Sequence, residues 1–309
     1  MSIVVPAFNE QDCLRRLWIE LETVVREEGS SFEVIFVDDG STDGTWSIIT
    51  DLSRTNPEVR GVRFSRNFGH QSALLAGLEH ARGRAVITMD ADLQHPPQLI
   101  SEMIARWRRG VSIVSTRRLD REDVGFFKRL TAKLFYAMFS SLSETRIDHG
   151  KADFRLLDRR IVDLLLSMSE ATLFLRGMVE WVGFSQEVID FVPNPRVGGG
   201  RSRYTLRKML VLALAGITSF SVTPLRLSFA IGVVTTLLSI AYAIFAVVSA
   251  LQGQVVRAWT SVVCFFSFLF GVQFILTGVL SEYLAQSIVE LKRRPRYIVS
   301  DSVDHISPD

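Results

Sequence analysis

The chain has 309 residues, 48% of them hydrophobic and 22% charged, with 35 Lys+Arg against 33 Asp+Glu for a net charge of +2. At roughly 150 residues per domain this length predicts about two folding units. So balanced a charge excludes a nucleic-acid binder that works by general phosphate neutralisation. The two cysteines, Cys13 and Cys264, exclude a disulfide framework or a cysteine zinc site as the organising principle.

Met1 runs straight into Ile3-Val4-Val5-Pro6 with no basic n-region and no small-residue cleavage site, so no signal peptide is expected and the first domain should stay cytoplasmic. Candidate strands follow at Ile3–Val5, Val34–Val37, Val59–Phe64, Ala85–Met89 and Ser112–Ser115, with helices starting near Glu10, Thr42, Gln71 and Pro97. This alternation predicts an α/β fold with a mostly parallel sheet covered on both faces. Ligands of such sheets bind outside the carboxyl ends of the strands.

Three of those ends carry polar residues. The first strand runs into Pro6-Ala7-Phe8-Asn9-Glu10, and the second into Asp38-Asp39-Gly40-Ser41-Thr42, where Ser41 or Thr42 can cap a helix. The fourth runs into Asp90-Ala91-Asp92-Leu93-Gln94-His95-Pro96-Pro97. Alternate side chains of an extended segment share a face, so Asp90, Asp92 and Gln94 can offer hard oxygen ligands to magnesium or manganese. A solvated turn is the alternative for an isolated Asp-x-Asp; the second acidic strand end, Asp39, favours a site. His70 and His95 lack the partners of a zinc pattern, and Gly198-Gly199-Gly200 fits neither a dinucleotide fingerprint nor a P-loop.

The mean hydropathy of +0.23 reflects apolar residues gathered in the last third. Leu227–Ala250 and Ala258–Ser281 are each 24 residues without a charge. At about 1.5 Å per residue each reaches roughly 36 Å, beyond a ~30 Å hydrocarbon core, so both are expected to span a membrane. Arg226 and the cluster Lys292, Arg293, Arg294, Arg296 flank the outer ends, against Arg257 alone between the spans, which predicts both chain ends in the cytoplasm. Met209–Thr223, an apolar stretch of 15 residues ended by Pro224, is too short to cross and is expected to lie in the interface, a soluble packing helix being the alternative. The expected organisation is a catalytic domain over 1–204, an interfacial helix over 205–225, a transmembrane hairpin over 226–282 and a cytoplasmic tail over 283–309.

The runs Val4-Val5-Pro6-Ala7-Phe8-Asn9-Glu10, Val37-Asp38-Asp39-Gly40-Ser41, Arg66-Asn67-Phe68-Gly69-His70 and Asp90 to Pro97 together resemble family 2 glycosyltransferases of the GT-A fold. Lys151-Ala152-Asp153-Phe154-Arg155-Leu156, Phe174-Leu175-Arg176-Gly177 and Gly200-Arg201-Ser202-Arg203-Tyr204, followed by two spans, are similar to polyprenyl-phosphate glycosyltransferases such as bactoprenol glucosyltransferase and dolichyl-phosphate mannose synthase. Relatives commonly carry Gly where Ala152 stands.

The resemblance implies an inverting transfer of a sugar from a nucleotide sugar to a polyprenyl phosphate at the inner membrane, with UDP-glucose the first candidate donor. Mannose, GlcNAc or an aminoarabinose derivative are the alternatives. It implies that the nucleotide lies against Pro6, Ala7, Phe8, Glu10, Asp39 and Asp90, while Asp90, Asp92 and Gln94 hold Mg2+ or Mn2+. Arg118, with Asp92 and Asp153, is expected to act on the reacting groups; Arg117, Arg155, Arg201, Ser202 and Arg203 are expected to take the lipid phosphate. For Arg117 and Arg118 the alternative is a solvated basic turn, and for Arg201 and Arg203 simple attraction to anionic lipid heads. Asp153 is the family's candidate base, yet a phosphate monoester is largely dianionic at neutral pH, so orienting Arg155 or the acceptor remains equally open. A homo-oligomer and a flippase partner are expected, and nucleic acid is not. A processive polysaccharide synthase is disfavoured by the absence of a Gln-x-x-Arg-Trp motif, and a non-catalytic scaffold by the three aspartates together.

Overall fold

The structure, a computed structural model, describes residues 1–29, 31–119, 151–168, 175–194, 223–252, 258–292 and 294–304. The described residues fall into two compact units, one holding residues up to 194 together with 294–304, the other holding 223–252 and 258–292.

The first unit is built on an eight-stranded sheet. Its strands are β1 (Ser2–Ala7), β2 (Glu33–Asp38), β3 (Val59–Phe64), β4 (Ala85–Thr88), β5 (Ile113–Arg118), β6 (Lys151–Asp158), β7 (Gln186–Phe191) and β8 (Val299–Val303). They lie in the order β7-β5-β6-β4-β1-β2-β3-β8. The pairs β1–β2, β1–β4, β2–β3 and β5–β7 are parallel. The three pairs made by β6 and β8 are antiparallel. Helices α1 (Leu14–Glu27), α2 (Thr45–Thr55), α3 (His70–His80) and α4 (Leu99–Arg108) connect the first five strands, and α5 (Arg159–Ser167) and α6 (Leu175–Trp181) follow β6. Ile3, Val4, Val5, Val34, Ile35 and Phe36 are all fully buried, as strands covered on both faces require. On one face α3 comes so near β1 that a Cβ on Gly77 would lie 2.0 Å from Val4 Cγ1, a contact only glycine allows.

The five strands read from sequence are all present, with bounds within three residues. The first helix starts at Leu14 rather than Glu10, because residues 8–12 are drawn into loop contacts with the β2–α2 turn. β6, β7 and β8 were not expected. Lys151-Ala152-Asp153-Phe154-Arg155 alternates charge with small and apolar residues but is buried almost throughout, between β4 and β5. The more consequential correction concerns the C-terminal residues, expected as a tail. Residues 299–303 pair with β3 and complete the sheet of the first unit. Val-Ser-Asp-Ser-Val has little apolar content and is mostly exposed, so its strand conformation comes from the open edge of β3 rather than from its own pattern.

The second unit consists, among the described residues, of α7 (Thr223–Leu251) and α8 (Ala258–Leu291), which pack on each other with Tyr242 stacked on Phe265 at 4.9 Å. Two membrane-crossing windows were expected. Among the described residues one helix, α8, holds an apolar window long enough to cross, at Phe268–Leu291, while α7 holds a shorter apolar stretch, Ser228–Tyr242. α8 itself starts at Ala258, as the expected span does, and runs ten residues beyond Ser281. The expected interfacial helix lies, apart from its last residue, outside the described residues, as do Arg201, Ser202 and Arg203.

Candidate active site

The carboxyl ends of β1, β2 and β4 are adjacent, and the loops leaving β1 and β2 are stitched side to side. Asn9 takes a left-handed conformation (φ 58°), which asparagine tolerates, and this turns its Oδ1 to accept from Thr42 N at 2.9 Å. Asn9 N donates to Ser41 Oγ, and Glu10 N to Thr45 Oγ1, each at 2.9 Å. Ser41 and Thr45 are thus spent on the neighbouring loop, while Ser41 N is held by Asp38 Oδ1 at 2.8 Å. Pro6 and Ala7 are buried in β1, and Phe8 stands 44% exposed at its end.

Asp39 is buried, and its carboxylate accepts from Phe68 N at 2.6 Å and Gly69 N at 3.0 Å, in the loop between β3 and α3. Burial raises its pKa against these two N–H donors, and Asp38 adds to the rise. Gly40, at φ 70°, is pressed on the same loop: a Cβ there would lie 2.4 Å from the Arg66 carbonyl carbon. Asp39 therefore braces the β3–α3 loop.

At the end of β4, Asp90 N donates to His95 Nδ1 at 3.0 Å. That bond makes Nδ1 an acceptor and puts the proton of neutral His95 on Nε2, 3.6 Å from Asp90 Oδ2. Burial lowers the pKa of His95 despite the carboxylates nearby, so the imidazole stays neutral, its ring stacked on Phe154 at 5.1 Å. Asp90 Oδ1 is buried and accepts no hydrogen bond, leaving an oxygen of the kind a hard cation satisfies. Asp92 is mostly buried, with Oδ1 accepting from Gln94 N at 3.1 Å. The chemistry of Asp90 and Asp92 fits a divalent ion. The third expected ligand, Gln94, accepts from Arg118 Nη1 through its Oε1 at 3.2 Å and so also holds Arg118. No group of three or more His, Cys, Asp or Glu with ligand geometry occurs among the described residues.

Asp153, on β6, is the hub of a second cluster. Arg176 from α6 grips it with two bonds, Nε to Oδ1 at 2.9 Å and Nη2 to Oδ2 at 2.7 Å, and Arg155 Nη2 reaches Oδ1 at 3.0 Å. His70 Nε2, at the start of α3, lies 3.5 Å from both Asp153 Oδ2 and Asp90 Oδ1 and so bridges the two clusters. Burial works to raise the Asp153 pKa, but His70 and the two guanidinium groups outweigh it and hold the carboxyl well below its usual range. His70 is raised, burial being outweighed by Asp153 and Asp90.

Arg155, expected as a lipid-phosphate contact, is buried beside Asp153, with Ala152 O as its other acceptor, so its charge is spent on the hub. Arg117 and Arg118 point to opposite faces of β5, as adjacent strand residues must. Arg118 turns to Gln94, while Arg117 is paired bidentately with Asp190 of β7, at 2.7 and 3.0 Å. Nearby, Glu180 accepts from Lys151 Nζ at 2.7 Å. The residues missed as site members, His70, His95 and Arg176, all sit inside motifs quoted from the sequence; only His95 stands near the aspartates along the chain, and the fold brings the other two to them.

The glycosyl transferase family 2 model matches residues 2–165, which spans β1 to α5 and every strand end described above. The chain belongs to glycosyl transferase family 2. It is 39% identical over 303 residues to the SfII prophage-derived bactoprenol glucosyl transferase of Shigella flexneri, covering 98% of each chain. It is 40% identical over 302 residues to an uncharacterized glycosyltransferase of Synechocystis sp., covering 97% of this chain and 95% of the relative. Among solved structures, mannosyl-3-phosphoglycerate synthase from Rubrobacter xylanophilus overlaps 69% of this chain and 70% of its own, at 19% identity and a TM-score of 0.48. The protein is a glycosyltransferase, and its similarity to the bactoprenol glucosyl transferases continues past the family domain through α7, α8 and the C-terminal strand.

Proposed function

We propose that the enzyme moves glucose from UDP-glucose to a polyprenyl phosphate such as undecaprenyl phosphate, at the cytoplasmic face of the membrane. The observation that carries this reading is the 39% identity with a bactoprenol glucosyl transferase over 98% of both chains. In the reaction a phosphate oxygen of the acceptor attacks C1 of the sugar, the bond from C1 to the diphosphate oxygen breaks, and the nucleoside diphosphate leaves with the electron pair. One displacement inverts the anomeric centre.

The loops after β1 and β2, with Phe8, Glu10 and Asp39, are read as the nucleotide pocket. Asp90 and Asp92 would hold Mg2+ or Mn2+, which supplies positive charge to the leaving diphosphate. Arg118, aimed by Gln94, is placed in this reading to add a charge-assisted contact to the same diphosphate. Asp153 orients Arg176 and His70 beside Asp90 rather than removing a proton, since its carboxyl is stabilised as the anion by both arginines. The acceptor, largely a dianion at neutral pH, needs no base. Arg201, Ser202 and Arg203 are kept as contacts for the lipid phosphate.

For the membrane part, two features support a two-helix hairpin. α7 has 29 residues and α8 has 34, about 43 and 51 Å at 1.5 Å per residue. Both carry strongly exposed apolar side chains, such as Phe229 at 76% and Phe274 at 74%. Residues before 194 and after 294 belong to one folded unit, so a chain that crosses a bilayer between them must cross it an even number of times. Self-association along these apolar faces, and a flippase that turns the product over, belong to the same reading.

The test is a panel of sugar nucleotides incubated with polyprenyl phosphate and scored for radiolabelled sugar in the organic phase. UDP-glucose is expected to give the strongest labelling; no labelling from any donor would overturn the proposal.

A further inference from the structure

The residues that follow α8 form a strap on the first unit. Arg296 Nη2 donates to Met168 O at 2.7 Å, the Tyr297 hydroxyl donates to Glu79 on α3, and Ser65 N donates to Ile298 O at 2.9 Å. The chain then runs as β8 along β3, ending with Arg60 Nε on Asp304 at 2.7 Å. Anchoring of this strand would explain part of the pattern but not the placement of Tyr297. Its ring stacks on Phe64 at 4.7 Å and 18°, and Phe64, fully buried at the end of β3, meets Phe68 edge-on at 5.8 Å and 90°. Arg66 covers the Phe68 ring at 4.2 Å. Phe68 N is the 2.6 Å donor to Asp39, and Gly69 N is the other.

We infer that Tyr297 is a positioning residue for the nucleotide pocket, acting through the Phe64–Phe68 aromatic pair on the loop that fixes Asp39, so that the strap after the last helix belongs to the donor site. The inference rests on reading Asp39 as part of that site. Its physical basis is that Ser65, Arg66 and Asn67 are exposed, and the loop 65–69 is held from the β2 side by Gly40 and Asp39 and from the strap side by Ile298 O and the stacked rings. Stacked and edge-on aromatic pairs have defined geometry, so loss of one ring lets the next re-orient. The bond to Glu79 fixes the Tyr297 ring from its far end, on the helix that begins with His70.

The experiment uses the full-length protein in detergent or bilayer, with UDP binding by calorimetry and KM for each substrate. Tyr297→Ala is expected to weaken UDP binding and raise the donor KM about five- to tenfold, the range one aromatic contact spans, with the acceptor KM within about twofold of wild type. Tyr297→Phe, which keeps the stack and loses the bond to Glu79, is expected to bind UDP as wild type does. Val303→Ala trims the opposite end of the same strand, where the side chain packs against the core. It should lower thermal stability without raising the donor KM. If Tyr297→Ala does not fold, Tyr297→Leu supplies bulk without a ring and should show the same split between the two KM values.

Unchanged UDP binding in a folded Tyr297→Ala or Tyr297→Leu protein would overturn the inference, as would an equal donor effect from Val303→Ala. A loss in Tyr297→Phe as large as in Tyr297→Ala would also overturn the aromatic route. The underlying reading fails separately: if Asp39→Ala binds UDP as wild type does, Asp39 is not in the donor site, whatever Tyr297 does.

Discussion

Replacing Asp153 by Asn tests whether this carboxylate is a base or an orienting anion. Asp153 and Arg155 are 5% and 6% exposed and face each other at 3.0 Å. Neutralising one member of a buried pair costs about 3–5 kcal/mol, because the other charge is left in a poorly solvated place. Arg176 is 46% exposed, so its pair adds only about 0–1 kcal/mol after solvent screening. An amide oxygen still accepts from one arginine, which favours the low end, about 3 kcal/mol or roughly 6–12 °C in melting temperature for a unit of this size.

The pH dependence separates the roles further. The folded pKa of Asp153 is depressed below 3.8, so its stabilisation is fully present above that value and is lost only as the pH falls through the lower, folded pKa. Across an assay range of about pH 6–8.5 the group is an anion throughout and a poor proton acceptor. Turnover of Asp153→Asn should fall about 10²-fold through misplacement of Arg176 and His70, and the ratio of variant to wild-type initial rate, at saturating donor, should stay level over that range. A ratio that drops severalfold on the acidic side, where more of the acceptor phosphate carries a proton, would restore the base and refute the reasoning. So would an unchanged melting temperature.

Chelation should abolish transfer and added Mg2+ or Mn2+ should restore it without refolding, with full activity of Asp92→Ala after exhaustive chelation counting against Asp90 and Asp92 as ion holders. Arg118→Ala should lower kcat/KM about 10- to 100-fold while Arg117→Ala, whose side chain is committed to Asp190, should change it less than about threefold; equal losses would break the distinction drawn between the two faces of β5. Gly40→Ala should destabilise by more than about 1–2 kcal/mol, since the residue adopts φ 70° and its new Cβ would meet the Arg66 backbone; a melting curve within 1–2 °C of wild type would contradict that packing. Ending the chain near Pro224 should lower the melting temperature of the first unit by removing β8, and supplying residues 294–304 on a long Gly/Ser linker after residue 204 should recover most of the loss by scanning calorimetry, with no recovery arguing that the β3 edge does not need its partner.

The central part of this architecture was legible because its physics is local. Strands β1, β2 and β4 are near-continuous apolar runs and β3 alternates, separated by helices of ordinary length, so period and spacing identify them, and the rule that ligands of parallel sheets bind at the carboxyl ends of strands pointed to Asp39, Asp90 and Asp92 as candidates. What was not legible depends on partners distant in sequence. Asp153 and Arg176 are 23 positions apart, and Arg176 becomes a clamp only because β6 and α6 bring it onto a buried carboxylate. Arg155 reads as a phosphate ligand by residue type, yet a strand residue two positions from Asp153 shares its face and is buried with it.

The C-terminal strand is the extreme case. Val299–Val303 has no pattern that demands a strand, and Arg60 and Asp304, which pair at 2.7 Å, are 244 positions apart. A parallel sheet edge with Gly61 and Phe64 exposed would be an open template, and covering it from across the apolar segment resolves that liability. The same pairing sets a condition on the chain between: it must leave the first unit and come back to it. Hydropathy alone placed two apolar segments one after the other; the return of β8 to β3 adds that any crossings of a bilayer between them would be even in number. On the proposed membrane reading, parity would therefore be set by a weakly patterned five-residue strand more firmly than by the apolar helices that precede it.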